Sequence, residues 1–287
     1  MTLPKFLPTI HIHPVLMAFV VISFLTGTFM ELIIILSIVF LHELGHYFMA
    51  QRFKWRIRSV MLWVFGGVMD TDEHGNRPIR EEVLVTIAGP FQHIIIYILL
   101  SFLSNGGVVP ASVIELAVYY NTIILVFNLL PIWPLDGGKL LFLGLSALLP
   151  YKKAYHAVII FSMVASLSFL FLQFLFYPFT LSTFLIMIFL FMENKNEWKQ
   201  RYYVFIRFLL KRYEGNSSIK EVYPIVVTHE NSLMDVFSFF RREKKHSIYI
   251  TFPSSERKFM DESDCLQSYF HGKNYNKTIG EIVEYIP

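Results

Sequence analysis

Long, nearly charge-free apolar runs fill the first two thirds of this chain and leave few folds open to it. They lie near residues 10–30, 32–50, 83–104, 111–133, 158–176 and 179–192, and most approach the ~20 residues that a helix needs to cross a bilayer. A soluble protein would hide such runs in a single core. Here 54% of the 287 residues are hydrophobic and only 16% are charged, which is too apolar for one soluble domain. The expectation is a polytopic α-helical membrane protein of about six spans. The first run also has some character of a cleaved signal peptide, but further apolar segments follow at once and a signal anchor suits them better.

Charge placement orients these spans. Lys5 precedes the first run, and Arg52, Lys54, Arg56 and Arg58 follow the second. Lys139, Lys152 and Lys153 follow the fourth, and Lys195, Lys199 and Arg201 follow the sixth. All fall on one side, so the positive-inside rule places both termini in the cytoplasm. The net charge of +3 therefore reads as membrane orientation and does not suggest nucleic acid. The single cysteine, Cys265, cannot form an intrachain disulfide and suits a reducing compartment or an inert thiol.

Three regions follow from composition: a membrane domain over 1–192, a charged and aromatic helical linker over 193–216, and a soluble tail over 217–287. Strand-like 225–227, a helical period through Leu233, Val236, Phe237 and Phe240, and strand-like 248–252 predict an α/β tail built on a β-α-β unit. Between the second and third spans, residues 58–70 form a β-favouring stretch broken at Gly66-Gly67. It reads as a short hairpin dipping into the membrane or as an interfacial loop; a hairpin there must be shielded by helices or line a wet cavity.

Chemistry enters with His42-Glu43-Leu44-Gly45-His46. This H-E-x-x-H pattern has a chance expectation of about 0.02 in a chain of this composition. On a helix, positions i and i+4 share a face about 6 Å apart, so both imidazoles reach one zinc at roughly 2.0–2.1 Å. Glu43 then serves as the general base toward the attacking water. Ionisable groups inside a lipid-spanning helix are costly and functional by default. A catalytic zinc takes three protein ligands. Asp136 is the third candidate, because it ends an apolar span in Asn128-Leu-Leu-Pro131-Ile-Trp-Pro134-Leu-Asp136-Gly137-Gly138. There the prolines break the helix and the glycines let the backbone turn inward. His42 lies about 12 Å from the cytoplasmic end of its span, the side on which the fourth span also ends. A plain turn role for Asp136 stays open, and so does His93 as a rival third ligand; His93 otherwise reads as a hydrogen-bond partner within the bundle.

His42-Glu43-x-x-His46, Ala88-Gly89-Pro90, and Asn128-x-x-Pro131 with Leu135-Asp136-Gly137 together resemble the site-2 protease family of intramembrane metalloproteases, over roughly residues 30 to 140. The tail resembles a single cystathionine-β-synthase (CBS) module. The resemblance implies His42, His46 and Asp136 as zinc ligands and Glu43 as base, with substrate contacts at Asn128, Pro134 and the 65–69 segment, that is Phe65, Gly66 and Met69. It also implies a sporulation setting. The substrate would be the membrane-associated precursor of sigma factor sigma-K, inhibitory membrane proteins would gate access, and the location would be the outer forespore membrane in the mother cell. A lone CBS-like tail suggests pairing into a homo-oligomer, with ATP binding or pure dimerisation as equal readings. His11 and His13 read as interfacial or helix-start residues. The rival functions are a polytopic transporter, which lacks the expected inverted repeats here, and a nucleotide-sensing membrane receptor.

Overall fold

The computed structural model describes residues 9–12, 14–63, 66–71, 75, 77–107, 109–176, 180–215, 221–253 and 257–284. The chain separates into two compact units, Met1–His74 with Arg80–Leu140, and Gly75–Ile79 with Leu141–Pro287.

The first unit begins with strand β1 (Thr9–Ile12), helix α1 (Pro14–Thr26) and helix α2 (Phe29–Arg52). The first apolar run is thus split. Gly27, at φ 76°, breaks it in a backbone region that glycine enters without steric penalty. The 13-residue α1 is only about 20 Å long, short of the hydrocarbon thickness. β1 carries His11 and pairs parallel with β2 (Ile57–Trp63), which pairs antiparallel with β3 (Gly66–Thr71). Residues 64–65 lie outside the described residues, and Gly66-Gly67 belong to β3 and do not break the stretch. Those glycines lie opposite Trp63 and Leu62 at the start of β3. Among the described residues β3 pairs only with β2, and it packs beside α2.

Helix α3 (Ile79–Asn105) carries Pro90 within it, and α4 (Ala111–Asn128) follows. Ile34 and Ile38 of α2, Ile96 of α3 and Ala117 of α4 close a core between the three helices. The fourth apolar run ends earlier than its composition predicts. Helix α4 stops at Asn128, and α5 (Asp136–Leu148) opens with Asp136. Pro131 and Pro134 lack the amide donors that would continue α4, so residues 129–135 turn back through short bonds such as Leu135 N–H to the Ile132 carbonyl at 2.9 Å.

The second unit holds α6 (Tyr151–Phe176) packed on α7 (Leu181–Tyr213). Tyr151 stacks on Phe208 with centroids 4.0 Å apart, and the Tyr155 hydroxyl donates to Glu197. α7 runs without a break from its apolar start through the charged 193–213 stretch. Beyond it lie β4 (Glu221–Thr228), α8 (Leu233–Phe237), β5 (Lys244–Thr251), β6 (Arg257–Asp261), α9 (Glu262–Phe270) and α10 (Ile279–Glu284). β4 and β5 pair parallel across α8, and β6 adds antiparallel to β5. Strand alternation buries Ile225, Val227, Ile248 and Ile250, and Leu233, Phe237, Phe240 and Leu266 are buried as well. Arg212, at the end of α7, is buried and ion-paired to Glu262 at 2.6 Å. Burial pushes the Cys265 thiol up, out of the range where it would react as thiolate.

Of the described helices, α2, α3, α4 and α6 are long and apolar enough to cross a membrane. Their outward faces carry exposed Phe91, Ile98, Phe102, Val126 and Phe171, as lipid contact requires. The molecule is an integral membrane protein.

Candidate metal centre

α2 presents His42 and His46 one turn apart, with ring centroids separated by 4.8 Å. Both are buried, as are Glu43 and Asp136. The turned-back segment after α4 brings the Asp136 carboxylate to them, so that Oδ2 lies 3.1 Å from His42 Nε2 and 3.1 Å from His46 Nε2. The two Nε2 atoms are themselves 3.1 Å apart. These three atoms form the one cluster of potential metal ligands found among the described residues.

The cluster fits zinc on its own chemistry. His46 Nδ1 lies 2.8 Å from the Val85 carbonyl, a group that only accepts, so the ring proton sits on Nδ1 and Nε2 is bare in the neutral ring. Asp136 Oδ2 is buried and accepts no hydrogen bond. The lone pairs of the neutral His46 ring at Nε2 and of Asp136 at Oδ2 therefore converge with no proton between them, an arrangement that repels itself unless a cation joins it. An edge of 3.1 Å is close to the ~3.3 Å between ligand atoms of a tetrahedral zinc site. The other carboxylate oxygen, Oδ1, takes the Lys139 ammonium at 3.2 Å, which leaves Oδ2 to face the rings alone.

Close backbone approaches make room for the site. A Cβ on Gly89 of α3 would lie 2.2 Å from His46 Nε2 and 2.8 Å from His42 Cε1. A Cβ on Gly45 would lie 2.3 Å from the Ala88 carbonyl oxygen, so α2 and α3 meet where neither has a side chain. Gly137 and Gly138 play the same part at the start of α5, where a Cβ would strike the carbonyls of Leu129 and Ile132 at 2.2 and 2.5 Å.

The remaining expected residues are placed as follows. His93 is not among the clustered ligand atoms; its Nε2 lies 3.0 Å from His42 Nδ1, behind the ligand face. Asn128, half-buried at the end of α4, donates to the Ile124 carbonyl at 3.0 Å. Pro134 sits half-buried in the turned-back segment. Gly66 and Met69 lie in β3, with Met69 opposite Val60; Phe65, His13 and Lys5 lie outside the described residues. Sequence reasoning missed Asn121, which is fully buried against His93, although a lone Asn in an apolar span is itself a signal. It also missed Lys139 as a partner of Asp136, although the two are one helical turn apart. The Val85 carbonyl leaves no trace in a sequence.

The profile of Peptidase family M50 matches residues 30–110 and 104–173. The chain is also 39% identical to stage IV sporulation protein FB of Bacillus subtilis over 279 residues, 96% of each protein. It belongs to peptidase family M50. The family member is a zinc metalloendopeptidase of the site-2 protease type. A zinc metalloprotease of Methanocaldococcus jannaschii is 34% identical over 119 residues, 40% of this chain and 34% of that protein. The solved site-2 protease from Methanocaldococcus jannaschii superimposes with a TM-score of 0.55 at 24% identity, over 69% of this chain and 93% of that one; that likeness concerns the fold.

Proposed function

We propose that this M50 peptidase cleaves a membrane-associated protein precursor within or beside the bilayer, with His42, His46 and Asp136 holding zinc and Glu43 acting as general base. The observation that carries the reading is the buried triangle of His42 Nε2, His46 Nε2 and Asp136 Oδ2 with 3.1 Å edges. Bound zinc supplies polarisation of the scissile carbonyl and a lowered pKa for the attacking water. The Glu43 carboxylate takes a proton from that water as the new C–O bond forms, then delivers it to the amide nitrogen as the C–N bond breaks. The side of β3 that pairs with no strand among the described residues, beside α2, supports an extended substrate pairing there, because a helical substrate keeps its carbonyls in internal hydrogen bonds. Asn128, Pro134 and the 65–69 segment are the proposed substrate contacts.

The 39% identity to a sporulation protein over 96% of its length supports a role in spore formation. The proposed substrate is the sigma-K precursor at the outer forespore membrane, with inhibitory membrane proteins controlling access. The basic clusters beside the apolar helices support a cytoplasmic placement of both termini. The parallel β4–α8–β5 arrangement supports a CBS-like tail over 217–287, following a helical connection over 193–216, that pairs between two chains, with ATP binding and pure dimerisation as its two readings. Co-expression of the chain with the sigma-K precursor tests the central claim. A shortened product should appear with the native chain and vanish with Glu43→Gln, while zinc content stays unchanged. Cleavage that survives Glu43→Gln would remove Glu43 from the mechanism.

A further inference from the structure

We propose that His93 and Asn121 are positioning residues that fix the ring tautomer of His42, and with it the lone pair that His42 offers the metal. This rests on the reading of His42, His46 and Asp136 as ligands.

The argument begins at Asn121 on α4, whose amide closes a pair of contacts with His93 on α3. Nδ2 lies 3.1 Å from the His93 backbone carbonyl and Oδ1 lies 2.7 Å from His93 Nδ1. A carbonyl only accepts, so the atom facing it must be the amide NH₂. The amide oxygen therefore faces the ring, and His93 Nδ1 carries the proton. The neutral His93 ring then has a bare Nε2, which accepts from His42 Nδ1 at 3.0 Å. With its proton held on Nδ1, His42 turns an unprotonated Nε2 toward His46 and Asp136, 3.1 Å from each.

Reversing any link undoes the next. Were His93 Nε2 to hold the proton, His42 Nδ1 would have to accept, its own proton would move to Nε2, and no lone pair would face the metal. His93 and Asn121 are both fully buried, so bulk water does not substitute for either partner. The two ligand rings also differ in how they are held. His46 leans on the Val85 backbone carbonyl, which no substitution removes, whereas His42 depends on a chain of side chains across three helices. Partners behind a metal-ligating histidine generally set its tautomer and basicity.

The test is made on the purified full chain in detergent, without substrate. Zinc affinity is measured by competition with a chelator, and the cobalt-substituted protein is followed by its visible absorption bands. His93→Leu and Asn121→Leu should each lower zinc affinity about 10–100-fold and shift the cobalt bands. His93→Gln, whose amide oxygen can still accept from His42 Nδ1, should recover most of the affinity. Leucine is well tolerated in apolar spans, so Asn121→Leu keeps the test open should His93→Leu not fold. Native affinity and unchanged bands in a folded Leu variant would overturn the proposal. A Gln variant as damaged as His93→Leu would reduce His93 to packing, which also overturns it. His42→Ala retaining native zinc affinity would instead overturn the ligand assignment beneath it.

Discussion

Gly89→Ala is a minimal change that should dismantle the proposed metal centre while leaving the helices standing. The added Cβ would meet His46 Nε2 at 2.2 Å, His46 Cε1 at 2.4 Å and His42 Cε1 at 2.8 Å. Ordinary contact at a carbon atom needs about 3.5 Å, so the His46 ring must withdraw by about 1 Å. The three nearest atoms met all belong to the ends of side chains, so the rings yield first and the helix crossing persists. The overpacking cost to the fold is then about 1–3 kcal/mol. The site tolerates less, because metal–ligand distances hold to about ±0.2 Å. A ring displaced by five times that tolerance loses its place in the triangle, and the loss should exceed the about 10–100-fold penalty typical of disturbing a ligand's support. Zinc content of the purified chain, read by chelator competition beside a thermal melt, measures both effects. Gly144→Ala is the control, since nothing lies within 4 Å of its added Cβ; it should bind zinc normally. Native zinc affinity and native cleavage in Gly89→Ala would refute the steric argument and the placement of both rings.

Asp136→Asn keeps the shape of the side chain but removes its charge, so zinc should bind at least about 10-fold more weakly and cleavage should collapse. Loss of zinc in His93→Ala with retention in Asp136→Asn would reverse the ligand assignment. Val68→Pro removes an amide donor from β3 and should impair cleavage with zinc content unchanged; equal turnover would mean that β3 does not receive substrate. The tail should be sensitive to acid. Burial lowers the His246 pKa from 6.5, so below that value the unfolded chain takes up the proton first and stability falls. Glu262 follows at lower pH. Its burial alone would raise the pKa, but hydrogen bonds from His246 and Arg212 and the Arg212 charge bring it below 4.5, and the stability it contributes is lost as pH drops toward its folded value. A melting midpoint for the second unit that stays constant from pH 7 to about 4 would contradict this linkage.

Much of this protein was legible because the relevant physics is local. His42 and His46 share a helix face through their spacing alone, and the apolar runs at 32–50, 83–104, 111–133 and 158–176 correspond to the four long apolar helices α2, α3, α4 and α6. Two runs carried a turn that hydropathy does not register. The 10–30 run hides Gly27 at a positive φ and the strand β1, which exists only because β2, far along the chain, pairs with it. The 111–133 run hides the end of α4 at Asn128, although Pro131 and Pro134 were visible signals of it. In the tail, the strands around 225–227 and 248–252 were readable by alternation. β6 and the burial of Arg212 against Glu262 needed the folded partners.

The sequence by itself determined that the chain lies in a membrane and that one of its helices carries two imidazoles and a carboxylate at metal-binding spacing. Hydropathy and a 3.6-residue period act through neighbours along the chain, and both can be counted there. Only the tertiary structure decided that the Asp136 carboxylate turns back to within 3.1 Å of both rings, that Gly89 leaves space for them, and that His93 and Asn121 stand behind His42. Those contacts join α2, α3, α4 and the start of α5. They depend on how closely separate helices approach, and that distance is set by packing between residues that no sequence interval relates.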